Sequence, residues 1–194
     1  MYSNSTFAHR LTVLLCVLLI GTSAAQAQEQ ITIQANAKGS STQLGRMVPV
    51  KIYIQALSTP EERQSLIDGF KKNGMDGLRS ALEKMQPKGR IAPEGSVGND
   101  VKYIRELPSE NGERRFRLVT DRNMAMAELQ GGTRSTEYSV GALELKLTAD
   151  GKGGSGTMLP ACKLKVNKKT NELEIETYQN PWTLENFIVN IENK

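Results

Sequence analysis

Apolar residues recur at every second position through most of this chain and at helical spacing through only one stretch. Ile31, Ile33, Ala35 and Ala37 alternate with polar residues. Val48, Val50, Ile52, Ile54 and Ala56 alternate again with Lys51, Tyr53 and Gln55. A period of two predicts strands with one covered face. Pro49 cannot donate a ladder hydrogen bond, so the second strand should begin at an edge or an irregularity.

The period changes at STPEERQSLIDGFKKNG. Thr59 and Glu62 have the spacing of a capping box, and Pro60 suits the first helical position. Leu66, Ile67 and Phe70 form an apolar stripe that ends at Asn73-Gly74. Asp76 then caps a second stripe, in which Leu78, Ala81, Leu82 and Met85 lie on one helical face. The expectation is a two-helix hairpin over residues 60–86. It should lie against a sheet, since each helix has a single apolar face.

From there onward the pattern is again β. Strands are expected at Arg90–Ala92, Val101–Leu107, Arg114–Thr120, Met124–Leu129, Tyr138–Thr148, Thr157–Val166 and Glu172–Tyr178. Asn111-Gly112 marks a two-residue hairpin turn. Between Tyr138 and Thr148 the apolar parity passes from Tyr138, Val140 and Ala142 to Leu143, Leu145 and Leu147, which predicts a bulge at Gly141. Leu173 and Ile175 should face inward, and Glu172, Glu174 and Glu176 should face water. The C-terminal stretch keeps Trp182, Leu184, Phe187, Ile188 and Ile191, too apolar a set for a free tail.

One helical stretch among roughly eight strands excludes a doubly wound parallel sheet. The expected class is mainly β (α+β), a curved antiparallel sheet of about eight strands, barrel-like or a sandwich, with the helical hairpin inserted. The barrel suits the consecutive hairpins better. In architecture alone, this run of hairpins resembles lipocalin-like barrels, with no shared motif and no ligand residue carried over.

The N-terminus modifies this picture. A short polar, mildly basic start, the apolar run LTVLLCVLLIG and the small-x-small ending Ala25-Gln26-Ala27 predict a signal peptide over residues 1–27. The apolar run is too short to span a bilayer. The expectation is an exported, periplasmic or secreted protein, a single domain over 28–194, without stable membrane insertion after cleavage. The only histidine, His9, and one of the two cysteines, Cys16, fall inside the segment to be removed. What remains cannot form a histidine triad, a histidine-bearing zinc site, an intramolecular disulfide or a cysteine-held iron–sulfur cluster. No metal and no cofactor is expected. Cys162, flanked by Leu159-Pro160-Ala161 and Leu164, reads as a buried, inert thiol. The formal charge of +4 is ordinary surface charge, and few aromatics interleave with the arginines, so no nucleic-acid partner is expected.

Little in the chain names a reaction. Lys152 sits among the glycines of 151–156 without the spacing of a phosphate-binding loop. Glu174 and Glu176 share a strand face, as a glycosidase pair would, but their surroundings read as the solvent side of an amphipathic strand. The most suggestive cluster is Arg134-Ser135-Thr136-Glu137-Tyr138, where a guanidinium beside hydroxyls suits a carboxylate or sulfate. Arg134, Ser135, Tyr138 and Arg117 are therefore the candidate ligand-binding residues, and no catalytic residue is assigned. The favoured expectation is non-enzymatic binding of a small amphiphilic ligand. The alternatives are a structural or protein-interaction component of the bacterial cell envelope and, least favoured, a hydrolase lacking histidine.

Overall fold

The alternating segments pair edge to edge until the sheet meets itself. The computed structural model describes residues 29–40, 45–124, 138–176 and 181–193. In order, the elements are β1 (Glu29–Lys38), β2 (Met47–Ile54), α1 (Pro60–Lys84), β3 (Gly89–Pro93), β4 (Asn99–Leu107) and β5 (Arg114–Thr120). They continue with β6 (Val140–Leu147), β7 (Gly154–Asn167), β8 (Glu172–Glu176) and β9 (Trp182–Asn193). The sheet order is β6-β5-β4-β3-β2-β1-β9-β7-β8, and β6 also pairs with β7. This closes an antiparallel barrel of 8 strands, with β8 as an extra strand on β7. The barrel-like form of the expected sheet is thus the one observed. Among the described strands, the first and the last lie side by side, with Glu29 opposite Asn193.

The inward-facing residues of every barrel strand form one apolar cluster, including Ile31, Ile33, Ile52, Phe116, Leu118, Leu143 and Trp182. The barrel is filled so closely that side chains are excluded at some strand positions. A Cβ on Gly156 would lie 2.7 Å from the Glu144 carbonyl oxygen and 2.9 Å from Leu145 Cδ2. At one mouth Arg114 seals the core. Its Nη1 reaches both carboxylate oxygens of Glu29, and Nε and Nη2 donate to Glu106. Its guanidinium carbon lies 4.9 Å from the centre of the Phe116 ring. Those two carboxylates, Glu106 foremost, raise the arginine's pKa above its ordinary value.

A second cluster lies on the outer face of β4, β5 and β6, where α1 and the β7–β8 hairpin cover it. It joins Leu66, Ile67, Leu78 and Leu82 of α1 to Tyr103, Val119, Val140, Ala142, Cys162, Leu164 and Leu173. Where the sequence predicts two helices, α1 is one element, interrupted by non-helical dihedrals at Asn73 and Gly74, the pair expected to end the first. Its arms approach closely, since a Cβ on Gly77 would collide with the Gly69 carbonyl oxygen. The capping box forms as expected, with Glu62 N–H donating to Thr59 Oγ1 and Thr59 N–H donating to the Glu62 carboxylate.

Two irregularities matter for burial. Leu143, Leu145 and Leu147 line the barrel, while Val140 and Ala142 pack beneath α1. The strand β6 is therefore buried on both faces. The apparent change of parity is this double burial, and the register shift lies in the β6–β7 pairing, with Val140 opposite Cys162 and Ala142 opposite Leu159. A true change of parity occurs in β9. There Asn186 has φ 58, and the register slips against β1 between Gln34 and Asn36. The bulge lets Trp182 and Leu184 on one side of it and Phe187 on the other all reach the core, and leaves Ile188 66% exposed.

Candidate functional site

Of the four expected site residues, the described structure includes Tyr138 and Arg117. Arg134, Ser135 and most of the expected Met124–Leu129 strand lie outside the described residues. Tyr138 carries the Lys163 ammonium 5.0 Å from its ring centre. Arg117 is engaged elsewhere: Nε donates to Glu144 at 2.9 Å, and Nη1 donates to the Leu173 carbonyl. It holds β8 against β5 and β6. Arg114 and Arg117 point to opposite sides of the barrel wall, as strand alternation requires.

A different polar cluster forms at the edge of the outer layer. Arg63 comes from the first turns of α1, four residues before the buried Ile67. Tyr103 and Arg105 project from the outer face of β4. Glu172 opens β8, directly after a turn in which Asn171 has φ 52. One oxygen of Glu172 accepts a hydrogen bond from Arg63 Nη1 at 2.6 Å and forms an ion pair with Arg105 Nη2, also at 2.6 Å. The sequence places Glu172 facing water; packing of the β7–β8 hairpin onto β4 turns it between two arginines instead.

The cluster is incompletely paired. Arg63 Nε, Arg105 Nε, Glu172 Oε2 and the Tyr103 hydroxyl are all buried and have no hydrogen-bond partner. A buried polar group left unpaired costs about 1–3 kcal/mol. Three elements, α1, β4 and β8, supply these four atoms at one edge of the outer layer. Burial raises the Tyr103 pKa, an effect the nearby Arg105 charge partly offsets. The phenol is therefore a neutral O–H donor at pH 7. The two guanidinium side chains are 25% and 30% exposed, so the cluster touches solvent at one side.

Other features are less convergent. A concavity of about 670 Å³ on the outer barrel wall is lined by Arg115, Glu144, Lys146, Thr157 and Thr183, with charges of both signs. Another, of about 760 Å³, runs between the arms of α1 over Ser65, Gly69, Gly77 and Ala81. Cys162 is buried and free, and desolvation pushes its thiol up to about 12. Among the described residues, no three His, Cys, Asp or Glu side chains gather as a metal site, and no helix is long and apolar enough to cross a membrane.

Sequence reasoning missed the cluster because Arg63 and Glu172 are 109 residues apart and each reads as an ordinary surface charge. The available signal was Tyr103 and Arg105 sharing a strand face. Compared with protein-family models, with curated proteins and with solved structures, the chain matches none.

Proposed function

We propose that this chain is an exported, non-enzymatic binding domain that takes a small amphiphilic ligand in the layer outside its barrel. The four unpartnered polar atoms of Arg63, Tyr103, Arg105 and Glu172 carry this reading. They supply the anchor for an anionic head group. The partly buried Phe70, Met75, Val166 and Ile175 rim the adjoining apolar cluster and suit the ligand's hydrocarbon part. The arms of α1, expected from sequence as a hairpin of two helices, form the movable cover of this layer. The barrel serves as scaffold, because its interior is already occupied by side chains. Export would remove residues 1–27 and deliver the remaining domain to the periplasm or the medium.

Titration of the mature, isotope-labelled chain with sodium octanoate tests the binding reading. Saturable amide shifts should concentrate in the first turns of α1, around Tyr103 and Arg105, and at Glu172. Shifts centred on Ile33, Ile52 and Leu143 would move the ligand inside the barrel. Absence of any saturable shift with octanoate and with 2-hydroxyoctanoate alike would end the reading. For export, N-terminal sequencing of secreted protein should begin at or near Gln28, and an intact Met1 would refute it.

A further inference from the structure

We infer that the site at Arg63, Tyr103, Arg105 and Glu172 selects a singly charged oxyanion that carries its own hydroxyl group. This rests on the binding role proposed above and specifies its head-group chemistry.

The donor and acceptor inventory leads there. Two unpaired atoms, Arg63 Nε and Arg105 Nε, can only donate; the Tyr103 hydroxyl, neutral in this setting, has a proton to give. The fourth, Glu172 Oε2, can only accept while the carboxylate is ionised. A guest that satisfies all four needs several acceptor lone pairs and one O–H or N–H. A bare carboxylate would leave Glu172 Oε2 unpaired and facing its own negative charge. An alcohol would leave the arginines unmet.

Charge decides between the guests that remain. Two guanidinium groups share one carboxylate oxygen at 2.6 Å, so the cluster holds one positive charge in excess. The neighbouring Arg117–Glu144 pair is neutral as a unit and does not compensate it. A zwitterion would leave that charge unbalanced in a partly desolvated place, which is unfavourable. A monoanion cancels it. The shared chemistry is thus an oxyanion with a hydroxyl beside it, which either a 2-hydroxycarboxylate or dihydrogen phosphate supplies. In that arrangement the oxyanion accepts from Arg63, Arg105 and Tyr103, and the hydroxyl donates to Glu172.

Sites built to hydrogen-bond a hydroxyl discriminate strongly against analogues that lack it. The mature chain should therefore bind glycolate at least about tenfold more tightly than acetate, read from arginine Nε–H and backbone amide shifts. Dihydrogen phosphate against sulfate at pH 6 tells the two sources apart, since preference within only one pair names that source. Replacing Glu172→Gln removes the anionic acceptor, and should erase the glycolate preference while tightening anion binding in general. Tyr103→Phe, which keeps the ring, should weaken glycolate about tenfold. Equal affinity for both members of each pair would overturn the hydroxyl requirement and leave an anion site standing. Retention of the preference in Glu172→Gln would overturn it as well. Octanoate binding with no response to any of these four anions would overturn the head-group assignment alone, and silence to all five probes would remove the site.

Discussion

Inside the barrel, Phe116 and Leu118 of β5 join a cluster without a single titratable side chain; outside it, Val119 of the same strand belongs to a cluster that includes Tyr103 and Cys162. The inner cluster is closed by the sheet itself and sealed at one mouth by Arg114. The outer one is closed by a kinked helix and a hairpin, and its edge is charged. The contrast separates a region built for stability from one where burial of polar groups is tolerated, and the latter is where binding sites are expected.

The strongest test of the inner region is Phe116→Ala. The ring is fully buried in the barrel, so the change should cost about 3–5 kcal/mol in urea unfolding. All strands should lose hydrogen-exchange protection together. Leu82→Ala in the outer layer should cost about 2–5 kcal/mol, but with a different signature. Exchange in α1 and β8 should accelerate more than exchange in β1 and β2. Equal acceleration everywhere would show a single cooperative unit and dissolve the distinction.

Alkaline pH offers a second way to separate the layers. Burial raises the Cys162 thiol from its ordinary value near 9 up to about 12 and raises Tyr103 in the same direction. The folded state then holds these protons more tightly than the unfolded state does. The corresponding stability is fully present below about pH 9 and is lost progressively toward pH 12. Since the inner cluster has no such group, the outer layer should open first. Thiol reagent applied at pH 8 should leave Cys162 unmodified while the fold is intact and label it rapidly in urea. Smaller effects belong to the rim. Thr59→Ala breaks the capping box and should cost about 1 kcal/mol. Arg79→Ala, in an exposed pair with Glu83, should cost no more than about 0.5 kcal/mol by urea unfolding.

The inner region was largely legible in the sequence. Period-two alternation in β1 and β2 named the residues that line the barrel. The Asn111-Gly112 turn, where both residues have positive φ, joined β4 to β5 as expected. Thr59, Pro60 and Glu62 located the start of α1. Less was legible where one residue serves two surroundings. Val140 and Ala142 looked like a parity slip because sequence shows that a residue is apolar, not which layer covers it. The bulge at Asn186 was hidden because an asparagine in a strand does not announce its dihedral. Glu172 was misread for a related reason. Its neighbours in sequence are those of a solvated strand, and only the docking of β8 onto β4 brings the two arginines to it.

The position of β9 bears on how the chain reaches this state. It fills the gap between β1 and β7, so the ring waits for the last of its own strands to be made. Until residues 182–193 arrive, the edge of β1 that they cover stays unpaired, with Ile31, Ile33, Ala35 and Ala37 along the strand. Pairing strands this far apart in sequence is slow, because the loop must close before its contacts contribute. Long-lived open edges invite association with other chains. A copy truncated before Trp182 would therefore keep two raw edges and a half-covered core, and would favour aggregation over a smaller barrel.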